Sequence, residues 1–205
     1  MKHIALDLPY PNTDGLECDE RSATIISPAY AGLYGELTAT LQYRDHSLYF
    51  SSYERQDTAG ILDGISIAEM RHLHILGGLI LKLGLPPVYA TIIPGGRIYA
   101  PEKVVYGKDP QNMLMDDING ELRAIADYDR ILAELKNERV AAIIKRIKLD
   151  EELHVKVLRE ELKNENKSIF SIELQNLIKD RLEKKQQTML FINRRGYAGF
   201  VSCSD

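Results

Sequence analysis

The nine residues Gly35-Glu36-Leu37-Thr38-Ala39-Thr40-Leu41-Gln42-Tyr43 return as Gly120-Glu121-Leu122-Arg123-Ala124-Ile125-Ala126-Asp127-Tyr128. Downstream of each copy stands a Glu-x-x-His element, Glu69-Met70-Arg71-His72 after the first and Glu151-Glu152-Leu153-His154 after the second. The glutamate motifs are separated by 85 residues and the Glu-x-x-His elements by 82, so two unrelated patterns repeat at nearly one spacing. Such a chain is a doubled helical hairpin, and each copy carries one lone glutamate and one Glu-x-x-His pair.

Helical periodicity tests where those residues point. In the second helix the inward frame runs Ile61, Ile65, Glu69, His72, Leu76, Leu79; in the fourth it runs Val140, Ile144, Ile147, Glu151, His154, Leu158. The third places Glu121 and Tyr128 among Leu114, Ile118 and Leu132, and the first, less cleanly, places Glu36 with Leu33, Tyr43 and Phe50. An ionised carboxylate is costly to bury unless it is paired or bound to a metal. Four apolar stripes that each deliver one near mid-helix therefore demand a cation. Each helix of about 25 residues spans roughly 38 Å, which makes the glutamates a layer across the middle of a bundle.

Helix boundaries follow from caps and breakers. Ser27-Pro28 and Asp109-Pro110 read as N-cap and first helical residue of the first and third helices. Asp57 reads as the cap of the second helix, with Gly84 and Pro86-Pro87 as its stop, and the fourth begins after Asn137. Residues 85–109 are too long for a tight turn and suit a crossover along the bundle, with a small hairpin from Val88–Ile92 and Arg97–Tyr99 around Pro94-Gly95-Gly96. The expected architecture is all-α: an extended arm at 1–26, a four-helix bundle at 27–164 with its long crossover between helices 2 and 3, and a C-terminal helix and tail at 165–205. In the last part Ile172, Leu174, Leu177, Ile178, Leu182, Met189, Leu190 and Ile192 mark an amphipathic fifth helix ending at Gly196.

Composition narrows the function. A net charge of −4, with no basic stripe, argues against nucleic acid as a partner. No apolar stretch approaches the roughly 20 residues of a spanning helix, and the first residues lack a signal-type apolar run, so a cytoplasmic protein without membrane attachment is expected. Cys18 and Cys203 alone build neither a disulfide framework nor a Cys-x-x-Cys knuckle.

Four carboxylates neutralise two divalent ions, and two imidazoles complete a dinuclear site; i, i+3 spacing puts Glu69 beside His72 and Glu151 beside His154 on one helix face. Two lone Glu helices and two Glu-x-x-His helices resemble the pattern of ferritin-like di-iron and di-manganese bundles. The metal ligands read from the frames are Glu36, Glu69, His72, Glu121, Glu151 and His154. His74 stands about 200° around the helix from the metal face, His46 is displaced from the Glu36 frame, and Glu152 points about 100° away from Glu151. Tyr43 and Tyr128 follow their glutamates by two turns and suit either hydrogen bonding behind the ligands or plain packing.

On these residues the chain resembles the ferritin-like superfamily over about 27–164, in particular its rubrerythrin, bacterioferritin and manganese catalase branches. The resemblance implies terminal carboxylates at Glu36 and Glu121, bridging ones at Glu69 and Glu151, and one metal on each of His72 and His154. Gly35-Glu36-Leu37-x-Ala39-x-Leu41-x-Tyr43 looks most like manganese catalases related to spore-coat proteins, in which the fourth-helix glutamate can act as acid and base; this gives Glu151 a catalytic role. Rubrerythrins carry a glutamate where this chain has Ala124, and their Cys-rich domain is absent here. Manganese catalases usually have a longer stretch between helices 2 and 3. The expected function is a dinuclear iron or manganese oxidoreductase acting on hydrogen peroxide or dioxygen, as a homo-oligomer. A ferroxidase for iron storage and a structural, spore-coat-type metal protein are the alternatives.

Overall fold

A computed structural model describes residues 3–91, 96–107, 109–166 and 172–186. The helices are α1 Glu20–Ala31, α2 Glu36–Ser52, α3 Gln56–Lys82, α4 Pro110–Glu134, α5 Glu138–Asn166 and α6 Ile172–Glu183, with one 3₁₀ turn at Pro101–Lys103. The chain divides into two units, Met1–Lys167 and Ser168–Asp205. No helix among the described residues is long and apolar enough to cross a membrane.

The expected first helix is broken in two. Ser27-Pro28 does not open it: Asp19 caps α1 by accepting from the Ser22 N–H at 3.0 Å and the Ser22 hydroxyl at 2.6 Å, and Pro28 lies inside. Proline cannot donate to the carbonyl four residues back. The Ser27 hydroxyl does so instead, bonding the Thr24 carbonyl at 3.0 Å, so the pair that resembles a cap is a repair within the helix. The break falls at residues 32–35, where a Cβ on Gly32 or Gly35 would run into the carbonyls of Pro28 and Ala29. Glu36 thus begins α2 instead of sitting mid-helix. It stays at mid-bundle, because α1 packs on the far half of α3 while α2 pairs with the near half.

The other boundaries follow the caps more closely. Asp109 accepts from the Asn112 N–H at 2.9 Å with Pro110 in the first turn, and the Asn137 side chain accepts from the Val140 N–H at 3.2 Å. α3 ends at Lys82 with Gly84 at φ +102°, the left-handed residue of a glycine stop. Its start is one turn-edge earlier than expected: Arg55, not Asp57, occupies the N-cap, without a side-chain cap bond. In the crossover a single antiparallel bridge joins Ala90 to Ile98, with Thr91 N–H to the Arg97 carbonyl at 3.1 Å and Tyr99 N–H to the Tyr89 carbonyl at 2.8 Å. The described part of the hairpin is this one bridge; its tip at 92–95 lies outside the described residues. α6 covers the first half of the expected fifth helix, and the positions from Met189 to Gly196 also lie outside them.

α2 lies along α3 and α4 along α5, as the short links at 53–55 and 135–137 require. Two apolar cores result. One gathers Ile26, Leu76, Leu79, Ile80, Ile143, Ile144 and Ile147, the other Phe50, Leu62, Ile65, Met113, Leu114 and Leu158. Between them lies a polar layer containing Glu36, Glu69, His72, Glu121, Glu151 and His154, each no more than 5% exposed.

Candidate metal centre

All six residues singled out in the sequence converge on this layer. Two overlapping groups form, Glu36–Glu69–His72–Glu151 and Glu69–Glu121–Glu151–His154, in each of which the potential ligand atoms lie within 4.8 Å of one another. The His72 Nδ1 faces Glu69 Oε2 at 3.1 Å, Glu151 Oε1 at 3.1 Å and Glu36 Oε2 at 3.5 Å. The His154 Nδ1 faces Glu69 Oε1 at 2.9 Å, Glu151 Oε2 at 3.2 Å and Glu121 Oε1 at 3.3 Å. Glu69 and Glu151 therefore split their two oxygens between the groups, whereas Glu36 and Glu121 each serve one.

Each Nδ1 is surrounded by three carboxylate oxygens and can donate to only one. Glu69 Oε1 and Glu151 Oε1 accordingly accept no well-directed hydrogen bond although both are buried. The other ring nitrogen is committed elsewhere. His154 Nε2 lies 2.8 Å from the Ile4 carbonyl, and His72 Nε2 lies 3.2 Å from Asp150 Oδ2 and 3.1 Å from the Tyr10 hydroxyl. A carbonyl only accepts, so Nε2 of His154 carries a hydrogen, and the Asp150 carboxylate sets the same choice for His72. A neutral ring so held presents the Nδ1 lone pair to the centre, the arrangement in which histidine binds a metal.

With protons alone to compensate it, the layer is strained electrostatically. Burial, then the charges of Glu69 and Glu151, raise Glu36 and Glu121 well above the usual carboxylate range. Burial opposes ionisation of Glu69 too, but the hydrogen bond with Glu36 and the His154 charge outweigh it and hold Glu69 low. Burial pushes both imidazoles down, yet the surrounding carboxylates, Glu151 and Glu36 for His72 and Glu121 and Glu69 for His154, drive them well up. Divalent ions would replace those protons as the compensating charge. The donor set, four carboxylates and two imidazoles with two orphaned oxygens on the shared residues, fits a pair of such ions.

The lone glutamates are steadied across the repeat. The Tyr43 hydroxyl of α2 donates to Glu121 on α4, and the Tyr128 hydroxyl of α4 donates to Glu36 on α2. Both phenols are buried, and burial followed by the facing carboxylate raises each well above its ordinary pKa, so they remain donors. His74 and Glu152 are exposed, as their frames require.

Four parts of the surroundings were not read from the sequence. The N-terminal segment crosses the histidine side of the layer: Leu6 N–H donates to Asp150 Oδ1 at 2.8 Å and the Tyr10 hydroxyl to Oδ2 at 2.5 Å. Arg146 pairs with Asp150 at 2.7 Å and donates to the Leu6 and Leu8 carbonyls, and the Tyr10 ring is flanked by Arg71 at 4.6 Å and Arg146 at 4.4 Å. Asp150 and Arg146, a charged i, i+4 pair beside the apolar stripe of α5, were the available signal. Fully buried His46 places Nδ1 2.9 Å from Asp117 and Nε2 2.9 Å from the Val105 carbonyl. Gln42 joins the same Asp117 at 2.9 Å and accepts from the Val105 N–H at 3.0 Å, tying the crossover to α2 and α4. On the opposite side from the arm, a cleft of about 760 Å³ opens between α2 and α4 and reaches Glu36, Glu69, Glu121 and Glu151.

Comparison with known proteins bears on this architecture. Two curated proteins share a short stretch with the chain: replication restart protein PriA of Bacillus subtilis, 48% identical over 48 residues, and of Synechocystis sp., 54% identical over 46 residues. These stretches cover 23% and 22% of this chain and 6% of either protein, too little to carry a family. The manganese catalase KatB of Anabaena PCC7120 superposes with a TM-score of 0.69 at 21% identity, covering 80% of both chains. A Rhodobacter capsulatus bacterioferritin, described with a metal-free dinuclear site and heme iron, superposes with a TM-score of 0.63 at 24% identity, covering 78% of this chain and 96% of its own. At these identities the likeness is one of fold. The family profile for the ferritin-like domain matches residues 32–168, from the break before α2 to the end of α5, and the chain belongs to the ferritin-like family.

Proposed function

We propose that the chain holds two iron or manganese ions in this layer and acts as an oxidoreductase on hydrogen peroxide or dioxygen. The observation that carries the reading is the sharing of Glu69 and Glu151: each turns one oxygen to the His72 group and the other to the His154 group. Residues so placed would hold two ions between them, with Glu36 and His72 serving one and Glu121 and His154 the other. Bound there, adjacent redox-active ions supply two one-electron couples beside one another, as two-electron chemistry on an O–O bond requires. Glu and His ligands accept iron and manganese alike.

The protein's own part is orientation, shielding and proton movement. Tyr43 and Tyr128 hold the terminal carboxylates in place, while Asp150 and the Ile4 carbonyl hold the imidazoles from behind. The arm keeps water from the histidine side. A small molecule arriving through the cleft meets the carboxylate side, where Glu151, which lines the cleft, would act as acid and base through whichever of its oxygens an ion leaves free.

Purified protein loaded with manganese or iron should bind two ions and consume peroxide, and Glu69→Gln and His72→Ala should each abolish turnover while remaining helical. Equal turnover by metal-free protein would sink the reading. Iron uptake into a large hollow oligomer, seen by light scattering, would redirect it to iron storage.

A further inference from the structure

The cleft between α2 and α4 is far larger than a peroxide or dioxygen needs. Its volume is about 760 Å³, whereas a water molecule occupies about 30 Å³ and a peroxide little more. Clefts of several hundred Å³ with mostly apolar walls and a few placed polar groups are the kind that hold organic ligands. Here the walls come from the end of α1 and the start of α2, with Ile25, Pro28, Leu33 and Ala39, and from Ala124 and Ile131 of α4.

The mouth carries a cationic cluster that the metal layer does not use. Tyr34, in the break between α1 and α2, is 46% exposed. The Arg123 guanidinium sits 4.1 Å from its ring centroid and the Lys103 ammonium 5.7 Å away, so the ring positions both cations at the cleft's edge. Among the described residues neither has a carboxylate within ion-pairing distance, although both line the cleft. Of the acidic groups lining the cleft, Asp127 pairs with Arg130, Asp117 with His46, and Glu36, Glu69, Glu121 and Glu151 belong to the buried layer. Asp116 and Glu134 also line the cleft and offset the two cations in net charge, without an ion pair to either among the described residues.

We propose that this cleft binds an amphipathic organic carboxylate, its acid group held by Arg123 and Lys103 beside Tyr34 and its apolar body lying between Leu33, Ala39 and Ala124. The guanidinium fork matches a carboxylate, and the apolar walls gain by covering a hydrocarbon or aromatic body. The site lies between solvent and the buried carboxylates, so its ligand governs what reaches them. It goes beyond the dinuclear reading and does not depend on it, since the mouth and walls are complete without any ion.

The test is isothermal titration of the full chain with decanoate, performed on metal-free and on metal-loaded protein. Saturable one-to-one binding is expected in both. Arg123→Ala should weaken it about tenfold or more, Lys103→Ala by a smaller factor, and 1-decanol should bind weakly, as loss of a charge-assisted contact implies. Ala124→Trp should block the cleft and remove binding, with far-UV circular dichroism and thermal melting confirming that the variant is folded. Absence of saturable decanoate binding to the wild type, or wild-type affinity in Arg123→Ala, would overturn the proposal. Failure of metal loading alone would instead overturn the dinuclear reading and leave the decanoate result standing.

Discussion

The two sides of the buried layer differ in kind. On the histidine side the polar groups are knotted to one another: Asp150 gathers Leu6, Tyr10, Arg146 and His72, and the Ile4 carbonyl takes His154. On the carboxylate side the partners are two phenols, two glutamate oxygens accept nothing, and a cleft begins. On the proposed reading one side holds geometry and the other admits a ligand. The division follows from chain order, because the arm that closes the first side precedes the helices and the break that opens the second, residues 32–35, interrupts them.

The largest effect should come from cutting the knot of the closed side. Asp150→Ala leaves the Arg146 charge buried without its partner, an error that typically costs about 3–5 kcal/mol. Urea unfolding should show that loss, and the variant should also bind metal more weakly, because His72 is no longer oriented. An unfolding midpoint within error of the wild type would mean that the closed side is no more rigid than the open one.

Tyr10→Phe is the milder version. It removes the hydroxyl shared by Asp150 and His72 but keeps the ring between Arg71 and Arg146, so about 1 kcal/mol should be lost, with metal affinity falling less than in Asp150→Ala. On the open side, Tyr128→Phe frees Glu36 without unpairing a charge. Stability should change by less than about 1 kcal/mol while peroxide turnover by metal-loaded protein falls, the reverse balance of the arm variants.

The smallest effect concerns the crossover that edges the cleft. Burial alone would push His46 down, but Asp117 and the Val105 carbonyl outweigh it and raise its pKa above 6.5. A raised folded-state pKa means that the folded protein binds the proton more tightly than the unfolded chain. The stabilisation is complete below about pH 6.5 and is lost as pH rises through the raised folded value. Urea midpoints should therefore decline with rising pH in the wild type, and this component should vanish in His46→Gln. An unchanged pH profile in that variant would show that the ion pair does not hold the crossover.

The sequence made the six candidate ligands legible and left what stands behind the histidines hidden, for a physical reason. Glu36, Glu69, Glu121 and Glu151 interrupt apolar stripes, and an interruption of helical period is visible in one dimension. Ile4 contributes through a backbone carbonyl, which no residue type announces, and Tyr10 acts from a segment without period. His46 fell outside the Glu36 frame because periodicity reports one buried face, whereas α2 is covered on a second by the crossover. Ser27-Pro28 misled for a related reason: the same dipeptide that opens a helix also mends one, and the choice depends on whether residues 20–26 are already helical.

The proposed dinuclear centre is tested most directly by metal analysis of the purified protein together with anomalous diffraction at the iron and manganese edges. The expected result is two ions per chain, about 3.5–4 Å apart, each touched by Glu69 and Glu151 and one apiece by His72 and His154. A fully loaded protein with one ion or none in this layer, or with ions bound only elsewhere, would contradict it.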